Sequence, residues 1–212
     1  VDTLEKDHSI GVAQSLLLLY PEIDRINTTG NCFQYLGFGY CDNYYKRVEE
    51  VKLPKVKEIS YASGAAVLMR TDLLKQYGLW DEDFFMYHED CEYSMRLRIL
   101  GYKSVLISDS IFYHKYQFSR SMDKFYFMER NRFAILLMFF KLPTLILLAP
   151  MLLILEAGLW LFAWRGGWGR KRLAIYRYWL ASKNRAVWLA KRKHMQRIRT
   201  VSDRRLLSYT SP

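Results

Sequence analysis

The carboxylates that could perform acid–base chemistry are concentrated in residues 81–92, DEDFFMYHEDCE, which hold six acidic and three aromatic side chains. A carboxyl group beside apolar rings is poorly hydrated, which raises its pKa toward values that suit a general base. Glu89 and Asp90 also fall in the first turn of a predicted helix, whose dipole lowers the pKa by favouring the anion. Alternatively, each acid only stabilises the start of a helix. For Glu82 and Asp83, each considered by itself, we favour this structural role.

The elements that must position these acids indicate an α/β domain. Alternation and apolar runs predict strands, and a glycine after a run of helix formers predicts a helix end. We expect strands over residues 10–19, 59–69 and 103–107, a loop with turns over 28–47, a short helix with Thr71 as its N-cap, and a helix over 89–100 that ends at Gly101.

Charge divides the chain near residue 165. Residues 1–164 carry 18 Lys/Arg and 20 Asp/Glu, whereas residues 165–212 carry 14 Lys/Arg and the single acid Asp203. Such a basic tail indicates contact with nucleic acid or with an anionic membrane surface. Apolar residues make up 51% of the chain, which excludes global disorder. The three cysteines lack metal-type spacing, and their odd number favours a reducing compartment.

An apolar run precedes the basic tail. Between residues 133 and 164 only Lys141 and Glu156 are charged, and residues 142–164 exceed the roughly 20 residues that span a bilayer. Three tryptophans at its far end are typical of an interfacial belt. We therefore favour a membrane segment over a buried core helix, and a membrane surface over nucleic acid as the partner of the tail.

The orientation of this membrane segment stays open. Basic residues flank both ends, so the positive-inside rule places both ends in the cytoplasm. Pro143 and Pro150 could break the run into a re-entrant hairpin. The tail itself has the composition of one or two amphipathic helices that lie in the interface.

Beyond composition, several segments resemble bacterial family 2 glycosyltransferases of the rhamnosyltransferase or galactofuranosyltransferase type. The resemblance covers about residues 58–135 and rests on Ser63–Ala66, GLWDE at 78–82, Phe84–Phe85, Tyr87, Glu89–Asp90, Arg96 and Gly101–Tyr102. It implies the C-terminal half of a GT-A fold followed by membrane-associated helices. We expect the acceptor-side part of that domain at 1–132, the membrane segment at 133–168 and a basic amphipathic tail at 169–212.

The resemblance also implies an inverting transferase that uses a nucleotide-sugar donor. Asp90 would deprotonate the acceptor hydroxyl, and Glu89 would shape the acceptor site. Substrate contacts are implied for Gly64, Ala65, Trp80, Asp81 and Glu82. Glu92 stands where the family often has Asp, which keeps the charge.

His114 would complete a divalent-metal site for Mg²⁺ or Mn²⁺, most of which the family builds from an Asp-x-Asp motif. That motif and the N-terminal strand–helix units are not found in this sequence, so we expect a C-terminal fragment that is inactive alone. Arg130 and Arg132 lie where related enzymes have basic residues near the diphosphate; alternatively they are charges that flank the membrane segment.

The resulting hypothesis is a transferase of cell-surface polysaccharide synthesis at the cytoplasmic face of the bacterial inner membrane, acting on a lipid-linked glycan acceptor. The alternative is a non-catalytic membrane-docking or glycan-binding module derived from a transferase. A metal-dependent hydrolase using His88, Glu89, Asp90 and His114 ranks last, because no second histidine lies at ligand spacing.

Overall fold

The computed structural model describes residues 1–115 and 122–211 as a mixed α/β arrangement. The strands are β1 (Ile10–Leu19), β2 (Ile26–Thr28), β3 (Asn31–Gln34), β4 (Gly39–Cys41), β5 (Val56–Glu58), β6 (Val67–Met69), β7 (Lys103–His114) and β8 (Thr210–Ser211). The helices are α1 (Asp2–Lys6), α2 (Thr71–Tyr77), α3 (Glu89–Ile99), α4 (Met122–Phe139), α5 (Leu142–Arg165), α6 (Gly169–Leu180), α7 (Ser182–Ile198) and α8 (Asp203–Leu207). Short 3₁₀ turns cover Val48–Glu50 and Glu82–Phe84.

The predicted strand at residues 10–19 is the centre of the larger sheet. β1 runs parallel to β7 and antiparallel to both β2 and β6, and β5 adds to the outer side of β7. All ten residues of β1 except Ser15 are buried, as expected for a strand covered on both faces. A second sheet has the order β4-β3-β8, so the C-terminal residues return to the middle of the domain.

Four predictions about the strands and α2 need correction. The expected strand at 59–69 is regular only over β6, because Ser63–Ala65 lie outside the sheet and line a cavity. Residues 28–47 contain the β3–β4 hairpin rather than only a loop. The strand from Lys103 continues to His114. The N-cap of α2 is Arg70, which makes no side-chain cap hydrogen bond, and Thr71 is the first residue of the helix.

The predicted helix after the acidic cluster is confirmed as α3. Its residues from Cys91 to Ile99 are all buried, and Gly101 follows with a φ of +96° that favours glycine at a helix end. The Glu92 carboxylate receives two hydrogen bonds from Arg96, at 3.0 and 2.7 Å. Arg96 also donates to the carbonyls of Tyr77 and Leu79. Glu92 is therefore a structural partner inside the fold.

The basic tail packs into the domain core. Trp188 of α7 is fully buried and meets the Phe84 ring edge-on, with centroids 5.3 Å apart. The same core cluster contains Met195 of α7 and Leu206 of α8. The expected boundary between residues 132 and 133 falls inside α4, which the tail helices cover. The residue-by-residue division into three parts stays a prediction.

The apolar run forms one continuous helix, α5, rather than a broken hairpin. Pro143 lies in its first turn, where no N–H partner is needed, and the helix continues through Pro150. Its most apolar window is not buried at all, and Leu147 and Ile154 are exposed over about three quarters of their surface, 76% and 74%. By length and composition α5 could cross a membrane. Its exposure is the opposite of what a buried core helix would show.

A buried charge cluster attaches α5 to the domain. Glu156, the one acidic residue of α5, accepts hydrogen bonds from Arg132 of α4 and Arg172 of α6. Glu129 of α4 pairs with the same two arginines at 3.2 Å. Two carboxylates and two guanidinium groups leave the cluster neutral, and a paired set of charges is the form in which ionised groups tolerate burial.

Candidate active site

A cavity of about 680 Å³ lies at the N-terminal end of α3. Its wall is built from five parts of the chain that are distant in sequence: the β3–β4 hairpin, the segment 61–65, the start of α3, the end of β7 and Met128 of α4. Glu89 and Asp90 belong to this lining. The acidic cluster is therefore aimed at a space that could hold a small molecule.

Asp90 is held at the cavity by two backbone N–H groups. Gly64 donates to its Oδ2 at 3.1 Å, and Cys91 donates to its Oδ1 at 2.7 Å. Surrounding protein atoms, and secondly the charge of Glu89, raise the pKa of Asp90 to about 7, although both N–H bonds act in the opposite direction. The carboxyl group remains partly accessible from the cavity. Near neutral pH it can both accept and release a proton.

The second carboxylate, Glu89, lies beside it in the same wall. Burial also raises the pKa of Glu89. Its Oε2 is buried without a hydrogen-bond partner among the described residues. Buried carboxylate oxygens normally have a partner, so this atom is an unused hydrogen-bond acceptor beside the cavity.

The backbone before α3 is strained. Phe85, Tyr87 and His88 have φ angles of 59°, 63° and 66°. Residues other than glycine rarely adopt these positive values. Burial lowers the pKa of His88 to about 4, so its ring is neutral at physiological pH. Its Nε2 lies 3.3 Å from the carbonyl oxygen of Gly37. Strained backbone of this kind clusters at functional sites.

The structure brings only part of the predicted substrate-binding set to the cavity. Gly64 and Ala65 line it, and a Cβ placed on Gly64 would lie 3.6 Å from the Trp80 ring, so Trp80 stands directly behind them. Asp81 caps the following turn by accepting from the Asp83 N–H at 3.0 Å, and it pairs with Lys191. Glu82 is exposed to solvent away from the lining.

Arg130 and Arg132 point into the protein interior. Arg130 donates to the carbonyls of Asp83 and Phe84, at 2.7 and 2.8 Å, and Arg132 belongs to the charge cluster around Glu156. Neither is in the cavity lining, and both are at most 7% exposed. Within the described residues, their guanidinium groups are committed to structural partners, which differs from the expected position beside a diphosphate.

His114 does line the cavity, at the end of β7. Its Nδ1 lies 3.0 Å from the Asn27 side-chain oxygen, and burial lowers its pKa. No group of three His, Cys, Asp or Glu side chains that could hold a metal ion occurs among the described residues. One histidine does not make a divalent-cation site, so the metal role of His114 stays a prediction.

Sequence reasoning missed several residues that build the site. Beside Tyr87 of the acidic segment, three further tyrosines contribute to the wall, Tyr40, Tyr44 and Tyr61. Asn131 of α4 is fully buried and bonds to the strained loop. The tyrosines gave no signal because they come from separate segments. Asn131 lay between two arginines that drew attention to their charge.

Two neighbouring carboxylates at the start of α3 line a cavity with aromatic walls. This arrangement is typical of enzymes that bind and deprotonate a substrate hydroxyl group. Residues 27–134 match the family model described as "Glycosyltransferase like family 2", which covers just over half of the chain. The chain therefore belongs to this glycosyltransferase family, and its mixed α/β structure is consistent with a GT-A-like domain. No curated protein matches the chain.

Proposed function

We propose that this protein transfers a sugar, with inversion, from a nucleotide-sugar donor to a hydroxyl group of a lipid-linked glycan, with Asp90 as the general base. Membership of the glycosyltransferase family supports sugar transfer in general. The observation that carries the assignment of the base is the position of Asp90. It lies in the cavity wall, fixed by the Gly64 and Cys91 N–H groups, with its pKa raised to about 7.

The reaction needs one proton acceptor at the acceptor hydroxyl. As the hydroxyl oxygen forms its bond to the anomeric carbon, its proton passes to the Asp90 carboxylate, and the bond from that carbon to the diphosphate oxygen breaks. The electron pair leaves with the nucleoside diphosphate. A single in-line displacement inverts the anomeric carbon. A base with a pKa near the working pH combines a useful ionised fraction with strong proton affinity.

The cavity suits a sugar acceptor. Tyrosine rings offer an apolar face and a hydroxyl tip, which match the two kinds of surface on a pyranose or furanose ring. Glu89 lines the same space, and its buried, unpartnered Oε2 would accept a hydrogen bond from a sugar hydroxyl once a rotation of the side chain exposes it. This arrangement favours Glu89 as the residue that orients the acceptor.

A lipid-linked acceptor is supported by α5 and the basic tail. The exposed apolar surface of α5 matches lipid, and the exposed basic residues of the tail, such as Arg170, Lys183 and Arg185, match an anionic leaflet. The charge cluster around Glu156 joins α5 to the domain that carries the cavity. We therefore propose that the protein works at the cytoplasmic face of the bacterial inner membrane in polysaccharide synthesis.

A divalent cation, Mg²⁺ or Mn²⁺, remains part of the proposal, because a leaving diphosphate needs positive charge. The described residues do not provide a complete site for it. No step above therefore depends on the cation.

The test is sugar transfer in membranes that contain the protein expressed from its own gene. Radiolabelled dTDP-rhamnose and UDP-galactofuranose serve as donor probes, and label in the lipid fraction is counted. Asp90→Asn should abolish transfer, and Glu22→Gln, which changes an exposed carboxylate, should retain it. Transfer by Asp90→Asn at the wild-type rate would refute Asp90 as the base. Wild-type membranes that transfer no more label than membranes without the protein would favour the non-catalytic binding module.

A further inference from the structure

The strained loop that precedes Asp90 is held from α4 by one side-chain amide. Asn131 Nδ2 donates to the carbonyl oxygens of Phe84, Met86 and Tyr87, at 2.9, 2.9 and 2.6 Å. Asn131 is fully buried. Asn131 therefore bonds to three of the carbonyl groups in the turn that leads into α3.

The orientation of this amide is fixed by Arg130. Arg130 Nε donates to Asn131 Oδ1 at 2.9 Å, so the oxygen of the amide faces Arg130 and its NH₂ group faces the loop. The opposite orientation would place the amide oxygen against three carbonyl oxygens, which are all acceptors. Arg130 reinforces the arrangement with its own bonds to the carbonyls of Asp83 and Phe84.

The loop needs such a restraint because its backbone is unfavourable. Phe85, Tyr87 and His88 all have positive φ, and such a conformation persists only where the surrounding structure enforces it. His88 is the residue before α3, so its conformation sets the direction in which Glu89 and Asp90 leave the turn. Relaxation of the loop would move the start of α3 away from the Gly64 N–H.

We propose that Asn131 is a positioning residue, which holds the loop 84–88 in its strained conformation and thereby keeps the Asp90 carboxyl group at the cavity. The importance of this role for catalysis rests on the proposed function of Asp90. The positioning role itself is independent of that function, because it can be tested without any substrate.

A purely structural asparagine would stabilise the fold without affecting the surroundings of Asp90. The titration of Asp90 separates the two roles, because its pKa reports how closely protein surrounds the carboxyl group. The groups that titrate beside it are Glu89 and Cys91 on α3, Cys41 of β4 and Tyr61. Both cysteines and the tyrosine have pKa values raised above those of ordinary thiols and phenols. Burial lowers the pKa values of His88 and His114, which line the same cavity, and raises that of Glu89, so the Glu89 carboxyl signal is the one to separate from that of Asp90.

The experiment compares Asn131→Ala with a matched control, Gln196→Ala. Gln196 Nε2 also donates to backbone carbonyls of α4, Met138 at 2.8 Å and Phe139 at 3.3 Å, but near the other end of that helix. The Asp90 pKa is read from ¹³C-carboxyl chemical shifts of the whole chain in detergent, with Asp90→Asn used to assign the signal. Asn131→Ala should lower the pKa by about one unit as water reaches the carboxyl group. Gln196→Ala should leave it unchanged.

An unchanged Asp90 pKa in folded Asn131→Ala would overturn the proposal, as would an equal shift in Gln196→Ala. If Asn131→Ala does not fold, Asn131→Gln keeps the amide on a longer side chain. Hydrogen exchange of residues 84–90 should then be at least tenfold faster than in the wild type, and an unchanged rate overturns the proposal. Loss of transfer is not the readout, so failure here is distinct from failure of the proposed function.

Discussion

Asp90→Asn should change how the stability of the protein depends on pH, even before any substrate is known. The ordinary pKa of Asp is 3.8, and the native protein raises that of Asp90 to about 7. Between these values the native state keeps a proton that the unfolded chain has released. Stability therefore falls as pH rises from about 4 to 7, and the loss persists above pH 7.

The magnitude follows from the two pKa values. Between pH 5 and pH 8 the Asp90 carboxyl group should lower the free energy of unfolding by about 2–3 kcal/mol, with access of water from the cavity making this an upper limit. An asparagine has no such titration. The Asp90→Asn variant also loses one of the two N–H hydrogen bonds to the carboxyl group, which lowers the free energy of unfolding by about 1–3 kcal/mol at every pH. This constant offset does not alter the slope.

The assay is urea unfolding in one detergent at pH 5, 6, 7 and 8, for wild type, Asp90→Asn and the exposed control Glu22→Gln. The free energy of unfolding of Asp90→Asn relative to wild type should rise steadily with pH, whereas that of Glu22→Gln should stay constant. Curves for Asp90→Asn and wild type that run parallel across this range would show that Asp90 has an ordinary pKa. The physical basis for its role as a base would then be wrong.

Two further predictions concern the packing that supports the site. Glu156→Ala leaves Arg132 and Arg172 to share one carboxylate, so the free energy of unfolding in detergent should fall by about 3 kcal/mol. Glu156→Gln keeps the shape but removes the same charge, so it should cost nearly as much as Glu156→Ala. A much smaller loss in Glu156→Gln would show that shape and hydrogen bonding, not charge pairing, attach α5. Gly37→Ala adds a Cβ 2.6 Å from Arg132 Cγ at a φ of +98°, so it should cost about 2 kcal/mol in thermal or urea unfolding. The matched control Gly158→Ala, in an open position of α5, should be neutral or stabilising, and an equal loss in both variants would contradict this account.

Local sequence signals predicted the parts of the fold that depend on local physics. The apolar run of β1, the glycine that ends α3 and the length of α5 each report a backbone preference within a few residues. The clustering of Glu89 and Asp90 likewise predicted that a functional wall would lie at the start of α3. These features need no knowledge of the rest of the chain.

Long-range packing could not be predicted in this way. The basic tail looked like a separate interfacial module, because its charges dominate its composition, yet Trp188 completes the core beside Phe84. Arg132 carries a full charge that suggested a diphosphate, but its partner Glu156 lies 24 residues away inside an apolar helix. Only the folded arrangement shows which charges neutralise each other.

The role of Asn131 is the clearest case. An asparagine within a helix has no pattern of its own, and its three carbonyl partners lie 44 to 47 residues earlier in the chain. The positive φ angles that make these contacts necessary occur at Phe85, Tyr87 and His88, none of which is a glycine. Positive φ angles at residues other than glycine therefore indicate where a structure holds such a supporting side chain.

The most direct test of the central claim is the rate of label transfer by wild type and Asp90→Asn between pH 5 and pH 9, at saturating donor. With Asp90 as the base, the wild-type rate should rise about tenfold per pH unit below pH 7 and level off above it. Asp90→Asn should show at least a thousandfold lower rate across the whole range. A wild-type rate that is flat through pH 7, together with an Asp90→Asn variant that retains transfer, would contradict the account.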